Sequence, residues 1–236
     1  MANRENKFDN KRLNRFMSKL SPKKISQGMN CAISNAERLV ADAELLYQNK
    51  RYPSAVGLAI LAIEEDGKVA IMRSLAVSRN EEDVREAWRD YRTHTKKNLM
   101  LAMPEMVALG ARKLEDFRPI FTETEYPQLF ENLKQISFYT DCLGKAHWSI
   151  PAEVIDEELT KRIVSLAKGL IGKTREVTEK EIELWIKHVG PVWKKEMDQM
   201  KVGLKNFFIE MHSIGLLKGK IEDCLDFVDS RKKWVH

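Results

Sequence analysis

SAVGLAILAIEEDGKVAIM, running from Ser54 to Met72, decides how this chain folds. Apolar side chains recur at every angle around a helical wheel, and no broad polar stripe interrupts them, so the segment reads as a central helix covered on all sides. The acids Glu64, Glu65 and Asp66 and the cation Lys68 sit inside this helix with apolar neighbours before and after them. Desolvating an unpaired charge costs several kcal/mol, so these groups must be paired or must titrate. Lys68, at i+4 from Glu64 and i+3 from Glu65, is the nearest local partner for both.

Outward from this helix, helical periodicity continues and strand alternation is absent. Ala32, Ala36, Leu39, Val40, Ala43 and Tyr47 trace one face of a preceding helix, expected between Gly28 and about Asn49. Pro53 suits the first turn of the central helix, which should end near Val77. A third helix is expected from Glu81, with Glu81, Glu82 and Asp83 in its first turn, through Trp88 and His94 to a stop before Pro104. Short connections between them favour antiparallel neighbours. A short helix around Phe130 to Ile136 then leads to Tyr139 and Asp141, followed by an irregular loop from Gly144 to Pro151 holding His147 and Trp148. Further helices are expected at 153–171, at 176–200 with a break at Gly190-Pro191, and at 202–230 with a break between Gly215 and Gly219. The fold class is all-α: an antiparallel helical bundle at 28–171, preceded by a basic arm at 1–27 and followed by a helical extension at 172–236 packed on the bundle.

The 236 residues are sufficient to bury a substantial core. A charged fraction of 32% and a mean hydropathy of −0.43 describe a soluble helical protein. The longest apolar run is well short of the ~20 residues a membrane span needs, and the basic N-terminus has no apolar signal core, so a cytoplasmic protein without membrane contact is expected. Cys31, Cys142 and Cys224 are odd in number and widely spaced, which suits reduced thiols. No zinc-type spacing and no Glu-x-x-His pair occurs, so neither a metal nor another cofactor is expected. The net charge of +5 is concentrated at the ends: Arg4, Lys7, Lys11, Arg12, Arg15, Lys19, Lys23 and Lys24 at one, Arg231, Lys232 and Lys233 at the other. Such clusters either neutralise phosphates or remain as solvated tails. Leu13, Phe16, Met17 and Leu20 have helical spacing, so the N-terminal arm can dock one apolar stripe.

A second polar cluster, Arg89-Asp90-Tyr91-Arg92-Thr93-His94, follows the central helix. Together with Leu61-Ala62-Ile63-Glu64-Glu65-Asp66-Gly67-Lys68, His94-x-x-Lys97, Tyr139-x-Asp141 and the Gly144, Trp148 and Pro151 loop, it resembles the AbiV-type abortive-infection family of the HEPN superfamily, over roughly Gly28 to Ala167. Arg89-x4-His94 matches the Arg-x4-His pattern of that superfamily. The same spacing recurs at Arg231 to His236, at the chain end. Asp66 stands where an aliphatic residue is expected in this family, which makes the surroundings of the acids more acidic here.

The resemblance implies a HEPN-like bundle and a bacterial antiphage effector that dimerises and, triggered during infection by a phage-encoded activator protein, cleaves RNA and blocks translation. His94 becomes general acid or base and Arg89 the cation on the phosphorane, because metal-free cleavage needs a group titrating near neutrality and a permanent positive charge. Lys97 becomes a second phosphate contact, and Asp90, at i−4, the carboxylate orienting His94. Glu64, Glu65 and Lys68 would position this set, with Tyr139 and Asp141 alongside and His147 as the fallback histidine. On one regular helix Arg89 and His94 would lie roughly 140° apart, a separation a symmetric homodimer could bridge. A non-catalytic module of the same fold, binding RNA or protein as sensor or scaffold, is the alternative, and a chaperone-like helical protein is a third reading.

Overall fold

In a computed structural model of the chain, residues 14–93, 126–171 and 176–229 are described. Helix α1 (Pro22–Gln48) starts with Ser21 accepting a hydrogen bond from the Lys24 amide and with Pro22 at its first turn. It begins six residues earlier than the position of Gly28 suggests, because Ile25 and Met29 extend its buried face into the basic stretch. Lys50, with a φ of 58°, turns the chain back into α2 (Tyr52–Ala76). Pro53 falls in the first turn of α2, where its missing N–H costs nothing.

Helix α2 is central, as its all-round apolarity requires. Ala55, Val56, Ala59, Ile60, Ala62 and Ile63 are fully buried, and α1 and the helices at Glu81–Arg92, Tyr126–Phe138, Glu157–Ile171 and Glu179–His188 all pack against it. Truncating a side chain such as Ile60 to alanine would cost about 2–5 kcal/mol, a large fraction of any domain's stability. Helix α3 (Glu81–Arg92) is capped by Asn80, whose side chain accepts from the Asp83 amide at 2.9 Å. It lays Val84, Ala87 and Trp88 on Leu75 of α2. It stops at Arg92, well before Pro104. Thr93 turns extended (ψ 121°) and its hydroxyl donates to the Arg89 carbonyl at 2.9 Å.

Helix α4 (Tyr126–Phe138) leads into an antiparallel hairpin, β1 (Asp141–Leu143) and β2 (His147–Ser149), where an irregular loop was expected. Gly144 and Ala146, both at positive φ, close its turn. Three-residue strands are too short for alternation to show, so the periodicity could not reveal them. Next come α5 (Pro151–Val154) and α6 (Glu157–Ile171), separated at Ile155-Asp156 rather than joined as one helix. Asp156 caps α6 by accepting from the Leu159 amide at 2.8 Å.

The C-terminal part comprises α7 (Glu179–His188), a 3₁₀ turn at Gly190–Val192, α8 (Met197–Ser213) and α9 (Ile221–Asp229). Helix α7 docks on α1 and α2. The Asn30 amide exchanges hydrogen bonds with the Val177 backbone at 2.9 and 2.8 Å, Trp185 donates to the Arg73 carbonyl at 3.1 Å, and Arg73 pairs with buried Glu181. Helices α8 and α9 pack on each other, with α8 on α7. The three cysteines form no disulfide, and among the described residues no helix is long and apolar enough to cross a membrane.

Candidate functional site

The adjacent acids of α2 face different neighbours. Glu65 pairs with Lys68, as their spacing suggests. Glu64 does not share that lysine. Its Oε1 accepts from Lys134 Nζ of α4 at 2.7 Å, and Lys134 also binds Glu131 at 2.7 Å. Glu64 and Lys134 are 3% and 6% exposed, so this is a buried ion pair bridging two helices. Sequence reasoning missed Lys134. Its signal was present in the pattern: Phe130, Lys134 and Ser137, at i, i+4 and i+7, form the buried face of α4, with a cation where an apolar residue belongs.

Lys68 joins the two polar clusters. Its Nζ lies over the Tyr91 ring, 5.2 Å from the centroid, and that ring meets Trp88 edge-on at 5.4 Å. Tyr91 is flanked in sequence by Asp90 and Arg92, so the Glu65–Lys68 pair of α2 meets α3's motif at this ring. Arg89 projects from the same end of α3 with 72% of its side chain exposed, at 4.0 Å from both Glu86 and Asp90. Ion pairs that long and that exposed contribute little stability, which leaves the guanidinium available to a ligand. Asp66, on α2, has its carboxyl raised above the usual range by burial.

His94 and Lys97 lie outside the described residues. Helix α3 ends at Arg92, before both of them, and Thr93 is extended.

Tyr139, Asp141 and His147 belong to the other end of α2. All three are exposed, and Asp141 accepts from the Cys142 amide at 2.7 Å. The ring of Phe138, just before them, lies against Gly57, while Lys68 is eleven residues further along the helix, about 16 Å at 1.5 Å per residue. Among the described residues no hydrogen bond or ion pair joins Tyr139, Asp141 or His147 to Arg89, Asp90 or the α2 acids. Nor is any group of three His, Cys, Asp or Glu side chains placed to hold a metal ion among them.

The arrangement is therefore a buried acid–lysine pair between α2 and α4, a second, half-buried pair against Tyr91 of α3, and an exposed arginine near the end of that helix. No curated protein and no solved structure matches the chain. The family model described as AbiV, of HEPN type, matches residues 24–172, well over half of the chain and covering α1 through the end of α6. On that match, and on the all-α bundle that carries it, the chain belongs to the AbiV family of abortive-infection HEPN-domain proteins.

Proposed function

We propose that this protein is a metal-independent endoribonuclease that acts in abortive infection, with its site at the C-terminal end of α3. The observation that carries the reading is the junction of the two polar clusters, where Lys68 of α2 lies over Tyr91 of α3 while Arg89, two residues earlier on that helix, projects exposed from another face. Arg89 supplies a permanent cation for the phosphorane, and His94 removes the 2′-hydroxyl proton or protonates the leaving oxygen. Lys97 contacts a second phosphate. Glu64, Glu65 and Lys68 hold α2 in register with α3 and α4, so that the motif is presented from a rigid base. Tyr139, Asp141 and His147, which follow Phe138 and its contact with Gly57, are assigned no chemical step.

Two copies related by a two-fold axis complete the site, each Arg89 serving the partner's motif, and a phage-encoded protein releases the activity. The test is induced expression of wild type and His94→Ala, with total RNA examined for new fragments. Wild type is expected to arrest growth and fragment RNA, and His94→Ala to do neither. If both arrest growth without RNA fragments, the protein is a binding module and not a nuclease.

A further inference from the structure

Residues 14–20 carry no regular secondary structure, yet they are strapped to α3. The Phe16 ring packs edge-on against Trp88 with centroids 6.2 Å apart, and Trp88 Nε1 donates to the Ser18 carbonyl at 3.0 Å. Arg92 lies over the same indole and donates to the Phe16 carbonyl at 2.9 Å, while Lys19 Nζ donates to the Ser78 carbonyl at 2.7 Å. Residues 14–20 are irregular rather than helical, and of the expected apolar stripe Phe16 docks on Trp88 and Leu20 packs against the buried clusters of α1, α2 and α3.

Helix geometry sorts the outward charges of α3 into two sides. Arg85, Arg89 and Arg92 fall within about 60° of one another beside the strap, with Glu81 at the edge of the same side, and Glu82, Glu86, Asp90 and Asp83 occupy the next sector. The acidic side is already answered. Lys194 binds Glu86 at 2.7 Å and Asp83 at 3.4 Å, and its hydrogen bond holds the Glu86 carboxyl below the usual range. The basic side is more open: Arg85 and Arg89 are 67% and 72% exposed and, among the described residues, make long contacts, 3.6 Å to Glu81 and 4.0 Å to Glu86 and Asp90. Between the strap and the α2–α3 turn lies a cavity of about 570 Å³ whose charged lining is Lys19, Arg79 and Arg85 with one acid, Glu81. Phe16, half-exposed, directly precedes Met17 and Ser18 of the cavity wall; Arg15 belongs to the strap, and the sequence before it adds Arg4, Lys7, Lys11 and Arg12.

We propose that the strap and the basic side of α3 form a track for single-stranded RNA leading to the motif at the helix end, an inference that rests on the ribonuclease reading above. A cationic groove alone would take any polyanion. A groove combined with an exposed aromatic ring is the arrangement that holds unpaired nucleotides, with phosphates on the guanidiniums and a base stacked on the ring. Arg85 and Arg89 stand one turn apart, about 6 Å along the axis, so they can take neighbouring phosphates while Phe16 receives a base.

The test uses the full-length protein and a fluorescein-labelled 2′-O-methyl RNA 20-mer, which lacks the 2′-hydroxyl needed for cleavage, with affinity read by anisotropy across a salt series. Arg15→Gln/Arg85→Gln is expected to weaken binding at least about tenfold at 0.1 M salt and to flatten the log–log salt slope by about 1.4, at roughly 0.7 per lost phosphate contact. Phe16→Ala keeps every charge and is expected to weaken binding about fivefold or more with the slope unchanged. Arg15→Lys/Arg85→Lys should restore most of the affinity, and circular dichroism should show all variants folded. If wild type binds and cleaves RNA while these variants match it in affinity and slope, the track is wrong and the ribonuclease reading stands. If wild type neither binds nor cleaves RNA, that reading falls and the track with it. Displacement of the RNA by polyglutamate of equal charge at equal concentration would also overturn the track, by showing a patch for any acidic chain.

Discussion

Lys134 reaches from α4 into the middle of the bundle and there meets a carboxylate 70 residues earlier in the chain. Breaking a buried pair on one side strands the other charge, at a cost of about 3–5 kcal/mol. Glu64→Ala or Lys134→Ala should therefore lower Tm by about 6–20 °C, whereas Glu64→Leu combined with Lys134→Met should recover most of the loss, as thermal melts would show. Changes at Glu65 or Lys68 should cost less, because that pair is partly open to solvent. The need for a partner was legible in Glu64 itself. Its identity was not, since helix spacing reveals only neighbours within a turn and favoured Lys68. Asp66 offers a check of opposite sign. Burial raises its carboxyl, so the folded state holds the proton more tightly than the unfolded chain does, and the ionised form is penalised at neutral pH. Asp66→Asn should raise Tm at pH 7. That gain should shrink as pH falls through the raised value and disappear by about pH 3, where the wild-type carboxyl is protonated in both states.

Among the elements, α2 was the most legible because its apolarity leaves it nowhere but the centre, and Pro53 and Asn80 fix two helix starts through local chemistry alone. The end of α3 was not legible. Nothing in Arg92-Thr93-His94 breaks a helix, and Thr93 turns extended where apolar and polar residues alike would allow continuation. The hairpin escaped because its strands are too short to alternate. At the C-terminus, Gly203 permits a close approach: a Cβ there would stand 2.5 Å from Val192 Cγ2 and 2.7 Å from the His188 carbonyl oxygen. Backbone cannot yield as a flexible side chain does, so Gly203→Ala should push α8 from α7. Amide hydrogen exchange should accelerate across 197–229 while α1 and α2 stay protected, and uniform protection throughout would show that the contact is dispensable.

At the scale of the whole molecule, the family match spans 24–172, and the extension beyond it is tied to the bundle through α7 by Arg73–Glu181 and Asn30–Val177. The proposed two-fold site makes a prediction that neither subunit alone can meet. Mixing inactive Arg89→Ala and inactive His94→Ala proteins under subunit exchange should restore up to about a quarter of wild-type activity if mixing is random. No recovery despite demonstrated exchange would place both residues in one subunit's site. The all-α class and the acid-bearing central helix followed from the residues, and the functional assignment came from the joint pattern of two polar clusters. The meeting of those clusters at Lys68 and Tyr91 needed the tertiary fold, because it depends on how α3 crosses α2. The central claim is cleavage by a histidine and an arginine acting without a metal. Its most direct test is incubation of purified protein with RNA in EDTA, followed by determination of the product ends. Wild type should leave 2′,3′-cyclic phosphate termini and His94→Ala none; undiminished cleavage by His94→Ala, or complete inhibition by EDTA, would contradict it.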